Sequence, residues 1–155
     1  MLKFLSTAAV LAAAAPAFAG TVDATGTGQG TSTATAMPVA EGLVVVHATS
    51  DYTGFDGNSD SPLASAKGPC FGSIMIDKGA VSGGGHCVYS DADGETAIIR
   101  WVADGISAEG RTQGDCSVAG GTGKWTAITG GGRFDAGVDG AGVYTNNVTG
   151  ELTVP

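Results

Sequence analysis

Apolar and polar residues alternate over short stretches of the chain, and glycine, aspartate or serine separates most stretches from the next. Alternation with a period of two is typical of strands with one buried face, and no window beyond residues 1–19 shows a helical period. The pattern therefore predicts an all-β protein with a polar loop over residues 51–67. The predicted strands span residues 42–50, 70–77, 80–90, 95–103, 115–119, 124–129, 132–137 and 143–149.

A two-residue turn at residues 78–79 predicts how the strands on either side of it pair. Counting outward from this turn places Cys70 opposite Cys87, at a type of position where the Cα atoms are close enough for a cross-strand disulfide. A bulge at the glycines of residues 83–85 would shift this register by one residue. We predict a Cys70–Cys87 disulfide and a free thiol at Cys116.

The next hairpin signal is the Asp93-Gly94 dipeptide, which is typical of a two-residue turn. This turn places His86 opposite Trp101, so that Phe71, His86 and Trp101 lie side by side on one face. Arg100 marks the opposite face as the outer one. The predicted outer face also carries Cys70, Cys87, Tyr89, Ile74, Ile76 and Val81. Because several of these residues are apolar, either both faces are covered or the outer face meets another subunit of a homo-oligomer.

Residues 1–19 have the features of a bacterial secretory signal peptide, with a positive residue at Lys3, an apolar segment and a small-residue cleavage site at residues 17–19. We therefore expect a periplasmic or secreted protein, in a compartment where disulfides persist. Residues 20–40 consist mostly of Thr, Gly, Ala and Ser, which predicts a flexible leader or a weakly held edge strand. The rest, residues 41–155, is enough for one domain with a core.

The chain is strongly acidic. Once Lys3 is removed with the signal peptide, six Lys and Arg residues remain against fifteen Asp and Glu residues, which gives a net charge of −9. Nucleic acids and anionic membranes are bound through phosphates that Lys and Arg neutralise. The apolar N-terminal segment is also too short to span a bilayer as a helix. We expect no nucleic-acid partner and no membrane insertion.

Residues with catalytic or metal-binding chemistry are few. His47 and His86 have no Glu or Cys at the spacing of a metal site. The carboxylates of residues 91–95 cluster around a turn, where aspartate is favoured for conformational reasons. Residues 56–67 begin like a calcium-binding loop but lack its glycine at the sixth position and its glutamate at the twelfth. We expect neither a metal nor a cofactor, and no Ser-His-Asp set can be assembled.

The segment Gly120-Gly-Thr-Gly-Lys-Trp125, followed by Thr129-Gly130 and Gly132-Arg-Phe134, is the most distinctive motif of the chain. Glycine weakens a strand unless backbones approach closely or the chain bends, so the segment predicts two strands with a sharp turn at residues 130–131. A phosphate-binding loop would need a helix after the glycines, and a strand is predicted instead. The motif resembles the Gly-Gly-x-Gly-Lys-aromatic motif of the allene oxide cyclase and dirigent barrels.

This resemblance implies a small closed antiparallel barrel of about eight strands over residues 41–155, with an apolar cavity. The plant members of these families are often trimeric, and they direct cyclisation or radical coupling of bound lipids or phenols, largely by the shape of the cavity. Only the architecture is carried over to this chain, since no position outside the glycine motif can be aligned with their catalytic residues.

From the resemblance we expect a non-enzymatic protein that binds a small apolar or aromatic ligand inside the barrel. Phe71, Trp101 and Trp125 would provide contact area, and His86 or Tyr89 would orient the ligand. One alternative is a structural or surface-associated module whose barrel is filled by side chains. Another is an isomerase or cyclase of a hydrophobic substrate, in which His86 is the proton shuttle.

Overall fold

The computed structural model describes residues 19–155, which form nine strands and one short 3-10 helix. The predicted signal peptide lies outside the described residues except for Ala19. Among the described residues, no helix is long and apolar enough to cross a membrane. The strands are β1 (Gly20–Asp23), β2 (Gly26–Ala40), β3 (Leu43–Gly57), β4 (Gly68–Asp77), β5 (Ala80–Ser90), β6 (Thr96–Ile106), β7 (Thr112–Gly121), β8 (Thr129–Val138) and β9 (Tyr144–Val154), with helix η1 (Gly123–Thr126) between β7 and β8.

Strands β2 to β9 form a closed antiparallel barrel, because each pairs with its neighbour in sequence and β9 also pairs with β2. The ninth strand, β1, pairs with residues 151–154 of β9, and β2 pairs with residues 144–148 of the same strand. The interruption at residues 24–25 therefore divides the N-terminal segment that pairs with β9 into two strands. The predicted fold, a closed all-β barrel of about eight strands, is confirmed.

Residues 20–40, expected to form a flexible leader or a weakly held edge strand, lie in β1 and β2. Backbone pairing rather than side-chain burial holds β2, because it pairs with β3 along almost its whole length while most of its side chains are exposed. Only residues 26–30 also pair with β9. The segment is thus part of the barrel. Its composition does not predict this pairing, because composition gives little information about backbone hydrogen bonds.

The hairpin between β4 and β5 has the predicted register. Lys78 and Gly79 both have positive φ, +50° and +90°, as a two-residue hairpin turn of this type requires. Cys70 lies opposite Cys87, and the two residues form the predicted disulfide. Cys116 is a free thiol, also as predicted.

The register predicted for β5 and β6 is wrong by one residue. His86 lies opposite Arg100, and Trp101 lies opposite Gly85. The cause is Asp91, whose backbone N–H donates to Glu95 and whose side-chain Oδ1 accepts from the backbone amides of Asp93 and Glu95. This closes a three-residue loop with Gly94 at φ +78°, in place of the predicted two-residue turn.

The shift by one residue reverses the predicted faces of β4 and β5, because side chains alternate between the two sides of a strand. Phe71 and His86 are exposed on the outer face, whereas Cys87 and Tyr89 are buried inside the barrel. Ile74, predicted on the outer face, is also buried. The exposed apolar residues of the outer face include Phe71, Met75, Val88 and Val102.

Residues 124–129 do not form the predicted strand. The chain makes a 3-10 turn over Gly123–Thr126, in which the backbone amides of Trp125 and Ala127 donate to the carbonyls of Thr122 and Lys124. Strand β8 then runs without interruption through residues 130–131, the position of the predicted turn. Glycine is needed at Gly123, since its φ of +54° is unfavourable for other residues.

The core lies at the end of the barrel where β5 and β9 end and β6 begins. Its cluster includes four residues with an exposed fraction of 1% or less, Ala66, Ala97, Trp125 and Leu152. Helix η1 places Trp125 across this end, which closes the barrel on that side. The remaining interior leads from this core towards the opposite end.

Candidate functional site

The barrel contains a cavity of about 420 Å³, and most of the lining surface is apolar. Residues of all eight barrel strands, β2 to β9, line it, and most of them alternate along their strand, as the period of two requires. Representative lining residues are Ala48, Tyr52, Ile74, Ile99, Trp101 and Phe134. The volume falls within the range of about 300–1,000 Å³ that is common for small-molecule sites.

Trp101 lies across two glycines inside this cavity. A Cβ atom added to Gly85 would lie 2.7 Å from Cζ2 of Trp101, and one added to Gly72 would lie closer still. The ring also meets Phe134 edge to face, with centroids 6.1 Å apart. The glycines therefore leave the space that the Trp101 ring occupies on the cavity wall.

A cluster of aromatic rings with polar groups lies deeper in the cavity. Tyr52 contacts Phe55, Tyr89 and Tyr144, with ring centroids 5.7–5.9 Å apart. The hydroxyls of Tyr52 and Tyr144 are hydrogen-bonded at 3.2 Å. Burial raises the pKa of Tyr52 and of Tyr89 far above the usual value of tyrosine, and the neighbouring Tyr144 raises both further. These hydroxyls are therefore neutral hydrogen-bonding groups and poor bases.

The thiol of Cys116 also lines the cavity. Burial raises its pKa, and a hydrogen bond from the backbone of Gly132 only partly offsets this effect. A thiol with a raised pKa stays protonated at neutral pH, which makes it a weak nucleophile. The Cys116 side chain therefore contributes a small, unreactive apolar group to the cavity wall.

Two of the five predicted ligand-binding residues, Tyr89 and Trp101, have side chains that line the cavity. Phe71 borders it by its place between Cys70 and Gly72, but its side chain belongs to the outer face and is 45% exposed. The structure places the other two elsewhere. His86 is exposed on the outer face, and Trp125 is fully buried in the core beyond the cavity.

Tyr52, Tyr144 and Asn146 also line the cavity, and the sequence pattern did not predict them as site residues. The polar residues around Tyr52 predict a loop, but β3 extends to Gly57. The neighbour of Tyr52, Tyr144, is 92 residues away along the chain. A local signal existed only for Tyr52, which stands near Phe55 in an otherwise polar stretch.

The acidic residues 91–95 do not form an open metal site. Oxygen atoms of Asp91, Asp93 and Glu95 lie within 4.8 Å of one another, but the ammonium group of Lys124 lies between them, at 2.6, 2.7 and 3.3 Å. The indole N–H of Trp125 donates to Oδ2 of Asp91 at 2.9 Å. The Gly-Lys-Trp motif thus joins the closed end of the barrel to the β5–β6 loop.

Asp91 makes the stability of this end dependent on pH. Its burial raises the pKa, but hydrogen bonds from Lys124, Trp125 and two backbone amides outweigh burial and lower the pKa to about 2. The unfolded chain has a value of about 3.9, so the stabilisation is present above pH 4 and is lost as pH falls towards 2. We expect Asp91→Asn to lower the free energy of unfolding at pH 7 by about 1–3 kcal/mol.

Urea titrations between pH 7 and pH 2 check this prediction, and the difference between the two proteins should vanish at the acid end. The matched control is Asp93→Asn, because the Asp93 side chain is 74% exposed although it also contacts Lys124. We expect the control to change stability by less than about 1 kcal/mol. Equal losses for the two variants would contradict the role assigned to Asp91.

Comparison with known proteins places this architecture among solved structures. No protein-family model matches the chain, and no curated protein matches it. The chain is similar to the pterocarpan synthase dirigent protein GePTS1, with 15% identity, a TM-score of 0.53 and coverage of 95% of this chain and 99% of that chain. The likeness is one of fold.

A second similar structure is a protein of unknown function of the DUF3224 family from Shewanella oneidensis MR-1. It has 12% identity and a TM-score of 0.49, over 89% of this chain and 97% of that one. The architecture of GePTS1 is consistent with the barrel fold that the glycine motif predicted.

Proposed function

We propose that this barrel binds a small apolar or aromatic molecule in its cavity and catalyses no reaction. The observation that carries the proposal is the combination of apolar walls, a volume of about 420 Å³ and a few buried hydroxyl groups at one side. Ligand sites commonly join a large apolar surface to a small number of polar groups that fix orientation. The walls provide contact area, and the hydroxyls provide directional contacts.

The titratable groups of the cavity support a role in binding rather than in catalysis. Burial raises the pKa of Tyr52, Tyr89 and Cys116, so each is protonated at neutral pH. His86, the residue assigned to proton transfer in the isomerase hypothesis, lies on the outer face. The fold is shared with a protein named a pterocarpan synthase, but a shared fold does not carry an activity with it.

We expect Ala48→Trp to weaken binding of a neutral fluorescent probe, N-phenyl-1-naphthylamine, by roughly tenfold or more. Ala48 lines the cavity, so an indole at this position would occupy the space of the ligand. The matched control is Thr49→Trp, which places the same side chain on the exposed face of β3. Fluorescence titration of the three proteins measures the effect.

The control should bind the probe as the unmodified protein does. Thermal unfolding of each protein shows whether the new side chain has disturbed the barrel. If Ala48→Trp keeps its fold and binds the probe with unchanged affinity, the probe does not occupy the cavity and the proposal fails. Native mass spectrometry of protein from its own host provides a second readout, since a retained small molecule adds a defined mass.

A further inference from the structure

Asn146 occupies a central position in the polar part of the cavity. It lies in β9 between two other lining residues, Tyr144 and Val148, and pairs with Gly28 of β2 and Ala136 of β8. A Cβ atom on Gly28 would meet the rings of Phe55 and Tyr52, at 2.8 and 3.1 Å. Aromatic rings therefore occupy the space above Gly28, and the amide of Asn146 lies beside them.

The hydrogen bonds of this amide are incomplete. Its side chain is within hydrogen-bonding reach of the Tyr52 hydroxyl, a contact that lowers the pKa of Tyr52 against the larger effect of burial. Its Oδ1 atom is buried, and it has no hydrogen-bond partner among residues 19–155. A buried carbonyl oxygen without a donor is unfavourable and uncommon in folded proteins. Because Asn146 also lines the cavity, a ligand that carries a hydrogen-bond donor would supply the partner that this oxygen lacks.

The charges around the cavity indicate which kind of donor fits. No Lys, Arg or His is among the lining residues in the described part of the chain. The nearby guanidinium of Arg111 binds Asp135 and the carbonyls of Gly137 and Thr145, so most of its donors are already used. An anionic ligand would lose its hydration without gaining a counter-charge. The cavity therefore favours uncharged molecules.

We infer that Asn146 is a specificity-determining residue that selects neutral ligands with a hydroxyl or N–H group, which donates to its Oδ1 atom. This inference rests on the proposed binding function and adds the class of ligand to it. The donor completes the hydrogen bonding of Asn146, and the rings of Tyr52, Phe55 and Tyr144 contact the apolar body of the ligand. A hydrocarbon of the same shape enters the cavity but leaves Oδ1 unpaired.

Three probes with one ring system test the inference: naphthalene, 2-naphthylmethanol and 2-naphthoate. We expect Asn146→Leu to lower the ratio of affinities for the alcohol and the hydrocarbon by about tenfold, since leucine has a similar volume but no acceptor. The matched control is Asn147→Leu. Asn147 is the next residue, is exposed, and contacts Thr27 on the outside of the barrel. The control should leave the ratio unchanged, and naphthoate should bind the unmodified protein roughly a hundredfold more weakly than the alcohol.

The outcomes separate this inference from the proposed function. If naphthalene and the alcohol both bind and Asn146→Leu leaves their ratio unchanged, the role of Asn146 is wrong and the binding function stands. If neither binds the unmodified protein, the proposed function fails. Binding of naphthoate as tight as that of the alcohol would overturn the selection against anions. Should Asn146→Leu fail to fold by circular dichroism, Asn146→Ala replaces it, because alanine also removes the acceptor and needs less space.

Discussion

Trp125→Ala is expected to lower the free energy of unfolding by about 3–5 kcal/mol, which is typical for removal of a large buried aromatic residue. Trp125 has an exposed fraction of 0%, and its indole N–H donates to a buried carboxylate oxygen of Asp91. Truncation leaves a void at the closed end of the barrel and removes one partner of that carboxylate. Chemical denaturation followed by circular dichroism measures the loss.

Two further variants separate the causes of this destabilisation. Trp125→Phe keeps most of the buried ring but cannot donate to Asp91, so its cost reports the hydrogen bond and should be about 1–3 kcal/mol. Trp101→Ala removes a tryptophan that is only half-buried on the cavity wall, and it should cost less than Trp125→Ala. A larger loss for Trp101→Ala would show that the core does not lie at the closed end.

The two hairpins show why one register was predictable and the other was not. In the β4–β5 hairpin the turn residues determine the geometry themselves, because Lys78 and Gly79 both adopt positive φ. In the β5–β6 hairpin the Asp91 side chain binds two backbone amides and enlarges the loop by one residue. A side chain outside the turn dipeptide decided the register. Because the observed register differs by one residue, Phe71 and His86 lie on the outer face of the barrel and not on the predicted inner face.

The glycine motif predicted the fold better than its own local structure. The closed barrel that it implied is confirmed, while its Lys124-Trp125 pair forms a 3-10 turn instead of a strand. The alternation of apolar and polar residues says nothing about this turn. What favours it is the burial of Trp125 together with the three carboxylates that contact Lys124, and these lie about 30 residues earlier in the chain.

The polar cluster of the cavity depends on contacts that no local pattern reports. Tyr52 meets Tyr144 only because β2 pairs with β3 on one edge and with β9 on the other. That closure is a property of the whole barrel. Sequence patterns therefore predicted strands, one hairpin register and the disulfide, whereas Asn146 became a candidate only once the barrel was closed.

The second large effect is expected from the Cys70–Cys87 disulfide. Replacing both residues by alanine should lower the free energy of unfolding by about 3 kcal/mol, since the bridge closes a loop with a sequence separation of 17 and limits the freedom of the unfolded chain. The pair already lies in register in the β4–β5 hairpin, so the folded barrel loses little else. Urea denaturation of the oxidised protein and of the double variant measures the difference.

The control for the disulfide is Cys116→Ala, which removes a cysteine from the same cavity without breaking a bridge. Its cost reports only the lost packing of a half-buried side chain, and it should be about 1 kcal/mol. Adding a reductant should reproduce the double variant's loss in the unmodified protein and leave the double variant unchanged. If the double variant is as stable as the oxidised protein, the hairpin is held by its backbone pairing and by the Lys78-Gly79 turn, and the bridge contributes little to the barrel.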